Sequence, residues 1–346
     1  MAKRLLQGNQ AIALAAVKAG LNFFAGYPIT PASEILHELV NQKTIKVLQM
    51  EDEIASINTI IGASLAGAKS MTATSGPGFS LMQESIGHAH MMEVPLVIVN
   101  VQRVGPSTGM PTFPAQGDIL QCKYGSHGDY FPIVFYPNSV AELYEFTFKA
   151  FNAAEESLSP VIILSDSYVG HLYETIEEAD YPISKRTLAP LGTSNRHFTG
   201  LTHEGSIPET SDPEAHKKLM NHFKAKQKTV SGKYNSYEYI ENKSSDTLLI
   251  AYGALSRAAY DLKENFAIYR PVRIFPIVEK LRDIAKKYKE IVVMEMNSGQ
   301  YVNEVEGLLH REVKCISIIG GKIDLNEIST KLRRIKRKND QRTYLS

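Results

Sequence analysis

Four short segments gather the side chains with chemistry to offer. Tyr27-Pro28-Ile29-Thr30-Pro31 holds a hydroxyl between two prolines, and Met50-Glu51-Asp52-Glu53 brings three carboxyl groups to one turn. Thr72-Ala73-Thr74-Ser75-Gly76-Pro77-Gly78 combines hydroxyls with glycines, and Gln102-Arg103-Val104-Gly105-Pro106-Ser107-Thr108-Gly109 adds an arginine. A buried carboxyl can work as a general acid or base. Arginine grips a carboxylate through two parallel hydrogen bonds. Glycines let backbone N–H groups come close to an anion or a flat ring. Each segment follows a short strand-like run. All four therefore read as loops at the carboxyl ends of strands, where a doubly wound parallel sheet binds its ligands.

Other chemistries lack their residues. Gly76-Pro77-Gly78 runs on into Phe79-Ser80-Leu81, without the third glycine of a dinucleotide fingerprint. No P-loop occurs. His88 and His90 fall on different faces of a helical pattern, so no metal site is expected from them. His127 and Asp129 lie in a polar turn with no assigned role. Cys122 and Cys315 are too few for a disulfide framework, and too few to hold one iron–sulfur cluster.

The elements that must position the four loops follow from the patterning. An Ala-rich helix over Asn9–Ala19 precedes a strand at Leu21–Gly26, a helix over Ala32–Asn41 and a strand at Lys46–Met50. A small-residue helix over Asp52–Ala68, a strand at Ser70–Thr74 and a helix over Phe79–Met92 come next. Val94–Gln102 and Pro160–Ser165 are continuous apolar runs, as in strands buried on both faces. Such alternation predicts an α/β fold with a mainly parallel sheet. From about Lys185 to Asp246 the chain is polar, with a charged, solvated helix expected over Glu214–Lys228. A second α/β unit opens at Thr247, with further strands at Val272–Phe275 and Glu290–Glu295. The expected division is thus residues 1–180, a connection over 181–245, a smaller unit over 246–330 and a basic tail over 331–346. A length of 346 residues suits two domains, since one core rarely grows past about 250. Net charge is +1, with 43% hydrophobic and 22% charged residues, which gives no general attraction to nucleic acid or to an anionic membrane. No apolar run is long enough to span a bilayer, and the N-terminus turns polar too early for a signal peptide. A cytoplasmic protein is expected.

Tyr27–Ser33, Gln49–Gly67, Thr72–Met82 and Val99–Gly117 together resemble the alpha subunit of 2-oxoacid:ferredoxin oxidoreductases. Within that family the Thr-Ser-Gly-Pro-Gly-Phe-Ser-Leu-Met run and Arg-x-Gly-Pro-Ser-Thr-Gly-x-Pro-Thr, followed by Gln116-Gly117-Asp118, resemble the 2-oxoglutarate:ferredoxin oxidoreductase (2-oxoglutarate synthase) branch. The resemblance continues through Thr202-His203-Glu204-Gly205 and Glu295-Met296-Asn297-Ser298-Gly299-Gln300. It implies a thiamine-diphosphate-binding domain of pyrimidine type followed by a transketolase-C-terminal-like domain. It also implies oxidative decarboxylation of 2-oxoglutarate with coenzyme A to succinyl-CoA and CO₂, with electrons passed to ferredoxin. No Gly-Asp-Gly occurs, since Gly117-Asp118-Ile119 and Gly128-Asp129-Tyr130 both fail. A beta partner would then carry the diphosphate and Mg²⁺ half of the site, and gamma and ferredoxin-like delta partners the iron–sulfur clusters. Another 2-oxoacid, branched-chain or pyruvate, and a noncatalytic assembly role stay open as alternatives.

The resemblance assigns roles residue by residue. Glu53, placed by Met-x-x-Glu, matches the family's catalytic glutamate, whose carboxyl faces a nitrogen of the aminopyrimidine. The same position also suits an acid in the first turn of a helix, with Glu51 and Asp52 as rivals. Arg103 matches a substrate binder, and Thr30 is set for the same carboxylate or for the cofactor. Ser107, Thr108 and Thr112 are candidates for a distal carboxylate, although turn-forming Ser and Thr fit equally. Tyr27, Pro28, Ile29, Thr74, Ser75 and Gly76 are expected to line the cofactor.

Overall fold

Leu96–Gln102 and Pro160–Asp166 are buried along their whole length, which requires helices over both faces of the sheet that holds them. They form the centre of a seven-stranded sheet in a computed structural model that describes residues 3–333. The strand order is Arg273–Phe275, Ile133–Phe135, Pro160–Asp166, Leu96–Gln102, Ser70–Thr74, Phe23–Gly26, Lys46–Gln49. All pairings are parallel except that of Arg273–Phe275 with Ile133–Phe135. From Phe23–Gly26 the chain passes to Lys46–Gln49 on one side and then to Ser70–Thr74 on the other. That reversal opens the crevice of a doubly wound sheet, with the four loops along its edge.

A second, five-stranded sheet runs Tyr237–Ile240, Ala267–Pro271, Thr247–Ala251, Glu290–Glu295, Lys314–Ser317, with only the first strand antiparallel. The strand expected over Val272–Phe275 is present as Arg273–Phe275, and a further strand that the patterning did not mark, Ala267–Pro271, precedes it. Ala267–Pro271 pairs within the second sheet, and Arg273–Phe275 crosses to the first. Pro271 has no N–H with which to extend a ladder, and the chain leaves the sheet there. The single helix expected over Phe79–Met92 is two, Gly76–Leu81 and Gln83–Met91, meeting at Met82.

Helix Pro213–Lys233 corrects the expectation of a solvated helix. Leu219, Phe223 and Val230 are buried along one side, and Gln227 Nε2 donates to Ser159 Oγ at 2.5 Å. Its lysines hid this stripe: Lys226 pairs with Glu93 and Lys233 with Glu156, so their charges are used in docking the helix. No helix among the described residues is long and apolar enough to cross a membrane. The basic tail lies outside the described residues from position 334 onward.

Candidate active site

Helix Glu53–Leu65 decides between the three acids at its start. Asp52 is the N-cap, its carboxylate accepting from Ala55 N at 2.7 Å, and Glu51 is exposed. Glu53 has no capping duty and is turned inward, 5% exposed. Its carboxylate lies against Gly78 and Thr74. A Cβ at Gly78 would come within 2.2 Å of both Glu53 Oε1 and Thr74 Oγ1, so only glycine lets helix Gly76–Leu81 pass this close. Burial pushes the Glu53 carboxyl above its ordinary range, with the Asp52 charge adding to the effect. Its own backbone N–H, the Thr74 hydroxyl and Arg103 oppose it. Beside them, Thr74 and Ser75 are fully buried, and Ser75 Oγ has no hydrogen-bond partner.

Arg103 follows strand Leu96–Gln102. Its Nη1 donates to Thr30 O at 2.6 Å, and Nε is buried without a partner. It forms no ion pair among the described residues. Burial lowers its pKa, while Asp118 and Glu53 pull the other way. The contact brings the first and fourth loops together through the carbonyl of Thr30, not its hydroxyl. Arg103 opens into a cleft of about 510 Å³. Gly76, Pro77, Ser80, Val104 and Ser107 line it on the same side, and Asp118 lies within it. The opposite wall comes from the second sheet's loops, Met296–Gln300 and Ile319–Gly321.

The expected residues do not all converge. Glu53, Thr74, Ser75, Gly76, Arg103 and the Thr30 carbonyl gather at the sheet edge. Ser107 lines the cleft, with φ at 55°. Thr108 is exposed and does not line it. Thr112 belongs to a neighbouring groove with Phe113, Tyr168 and His171, where its carbonyl accepts from Ser167 Oγ at 3.2 Å. Tyr27 is exposed and Pro28 and Ile29 are half-buried, outside the cleft lining. His127 and Asp129 line a separate 360 Å³ pocket with His88 and His90. Sequence reasoning gave no role to Asn100, Gln102, Gln116, Asp118, Asn297 or Gln300. The Gln116-Gly117-Asp118 and Asn297–Gln300 motifs were the available signal.

The donor set suits an aminopyrimidine. A buried carboxyl with a raised pKa, an unpartnered hydroxyl at Ser75 and a glycine-floored wall offer polar contacts to the edge of a flat heterocycle. No group of three or more His, Cys, Asp or Glu suited to a metal ion occurs among the described residues.

Residues 14–240 match the family described as pyruvate flavodoxin/ferredoxin oxidoreductase, thiamine diP-binding. Over 343 residues the chain is 44% identical to 2-oxoglutarate synthase subunit KorA of Archaeoglobus fulgidus, covering 93% of this chain and 96% of that protein. It is 34% identical over 349 residues to ketoisovalerate oxidoreductase subunit VorB of Methanothermobacter marburgensis, covering 97% and 98%. A 2-oxoglutarate:ferredoxin oxidoreductase from Magnetococcus marinus, solved with 2-oxoglutarate, coenzyme A and succinyl-CoA bound, matches with a TM-score of 0.89 at 31% identity. That match covers 96% of this chain and 65% of the longer solved chain. A split-gene transketolase, an inactive beta4 tetramer, shares the fold, with a TM-score of 0.55 at 14% identity over 92% of this chain and 90% of that one. The chain belongs to the 2-oxoacid:ferredoxin oxidoreductase family, as an alpha subunit built on its thiamine-diphosphate-binding domain.

Proposed function

We propose that this chain is the alpha subunit of a 2-oxoglutarate:ferredoxin oxidoreductase, converting 2-oxoglutarate and coenzyme A to succinyl-CoA and CO₂ with electrons passed to ferredoxin. The observation that carries the reading is Glu53, buried against Gly78 at the same sheet edge as an arginine without an ion pair. Thiamine diphosphate supplies the electron sink that decarboxylation of a 2-oxoacid needs. Glu53 holds a proton against the pyrimidine nitrogen, and its burial strengthens that hydrogen bond. Thr74, Ser75 and Gly76 orient the ring. Arg103, steadied by the Thr30 carbonyl, takes the C1 carboxylate, and Ser107 faces the distal end of the substrate.

Pyrimidine-side residues without a Gly-Asp-Gly support a beta partner for the diphosphate and Mg²⁺ half. Gamma and delta partners would carry the iron–sulfur clusters, and the complex would work in the cytoplasm. We place the division of the chain at residues 1–180, 181–245 and 246–330, with Tyr237–Ile240 of the connection added to the second sheet and Arg273–Phe275 returning to the first. The 34% identity to a ketoisovalerate oxidoreductase subunit favours a second reading, the same chemistry on a branched-chain acid. The test is viologen or ferredoxin reduction by the assembled complex with thiamine diphosphate, Mg²⁺ and coenzyme A. It compares 2-oxoglutarate, pyruvate and 2-oxoisovalerate. Reduction with 2-oxoglutarate alone supports the reading, and preference for 2-oxoisovalerate replaces it with the second. No reduction from a complex with intact clusters overturns both and leaves an assembly role.

A further inference from the structure

We propose that Asp118 is a positioning residue for Arg103, and that the second sheet holds Asp118 in place through residues 116–120. The inference rests on the reading that Arg103 binds the substrate carboxylate.

The anchor is Gln116, which is fully buried. Four of its hydrogen bonds cross to the second sheet. Its N donates to Met296 O at 3.1 Å, and Oε1 accepts from Met296 N at 2.9 Å. Nε2 donates to Tyr252 O at 2.7 Å, and its carbonyl accepts from Asn297 Nδ2 at 2.7 Å. Tyr252 and Met296 follow Thr247–Ala251 and Glu290–Glu295, parallel neighbours at which the order of strand addition switches from one side to the other. This is where a doubly wound sheet would open a ligand crevice, and Gln116 fills it. Gln300 adds two bonds, Nε2 to Gly117 O at 2.6 Å and Leu120 N to Oε1 at 3.1 Å.

The first sheet holds the same segment from the other side. Gln102 Oε1 accepts from Asp118 N at 3.0 Å, and Asn100 Nδ2 donates to Asp118 Oδ2 at 3.0 Å. Both partners are fully buried. Asp118 stands at the N-cap of helix Ile119–Tyr124, yet its side chain makes no cap hydrogen bond. A helix-capping role therefore does not account for the carboxylate. It shares the cleft with Arg103, the residue after Gln102. A carboxylate placed beyond contact range orients a guanidinium through its field without occupying the fork. The fork stays free to pair with an incoming carboxylate.

Steady-state kinetics of the assembled complex test this, with the 2-oxoacid and coenzyme A varied separately. Asp118→Asn is expected to raise KM for the 2-oxoacid about tenfold, with kcat within about twofold and KM for coenzyme A unchanged. Gln300→Ala, at the cleft lip, should move the same parameter in the same direction by less, and it serves if the Asp118 variant fails to assemble. Arg103→Lys should raise KM by itself, and adding Asp118→Asn to it should give no further rise. An unchanged KM in Arg103→Lys would overturn the reading of Arg103 and this inference with it. A raised KM in Arg103→Lys, with none in Asp118→Asn or Gln300→Ala, overturns the positioning role alone. A loss of kcat and melting temperature in Asp118→Asn at unchanged KM also overturns it, making Asp118 structural.

Discussion

Burial that suits Glu53 for chemistry works against the stability of the chain that carries it. Its folded-state pKa is raised, mainly by desolvation, so the native protein holds this proton more tightly than the unfolded chain does. Below the unfolded carboxylate pKa of about 4.3 both states are protonated and there is no penalty. Above it the penalty grows, and it levels off once the pH passes the raised folded value. Glu53→Gln should therefore melt higher than the parent at pH 7, with the gain vanishing below about pH 4. The same variant should lose about 10²- to 10⁴-fold in turnover of the assembled complex, the range for a general acid or base. A melting temperature lowered at pH 7 would contradict the burial argument. Gly78→Ala should also cut turnover, because its Cβ would come within 2.2 Å of the Glu53 carboxylate. Measured cofactor affinity should fall in that variant while the helix content by circular dichroism is kept.

Loops reach the site only as well as the elements under them are seated. The Tyr27–Pro31 loop rests on Asn9 of helix Gly8–Lys18, whose Nδ2 donates to Pro31 O at 2.8 Å and to Glu34 Oε2 at 2.9 Å. Glu34 also pairs with His171 at 3.4 Å, which lowers the Glu34 pKa and raises that of His171. A raised imidazole pKa contributes stability that is complete below the unfolded value of about 6.5 and is lost as pH rises through the folded one. His171→Ala should therefore lower the melting temperature more at pH 6 than at pH 9. The loss should be modest, since the pair is about one-third exposed. An equal loss at both pH values would sink the ion-pair account. At this scale much was legible, because strand-end loops announce themselves through Gly, Pro and Thr beside apolar runs. Helix Pro213–Lys233 was misread because its lysines bind partners far away in sequence, which a local pattern does not display.

The whole molecule is fastened by contacts between residues distant in the chain. Asp166 is fully buried and accepts from Tyr168 N and Val169 N nearby, but also from Tyr136 OH at 2.8 Å and Ala254 N at 3.1 Å. Asp166→Ala would leave these donors without an acceptor and should cost at least ~3 kcal/mol in denaturant unfolding of the chain. A loss under about 1 kcal/mol would mean that the two sheets are not joined there. Such links also mark what sequence reading missed. Glu53 and Arg103 stood out because a reactive side chain beside a turn is a local feature. Gln116 is an amide bonded to residues between 136 and 181 positions away, and its own segment does not display those partners.

The two lips of the cleft belong to different sheets, and Gln116 ties one sheet to the strand ends of the other. The mouth therefore has no independent hinge: widening it means breaking those hydrogen bonds. Escape of a trapped molecule and exposure of the Gln116 and Met296 amides to solvent become one event on one timescale. Deuterium uptake at these two amides in the isolated chain should then share an activation enthalpy with the release of any small anion held beside Arg103.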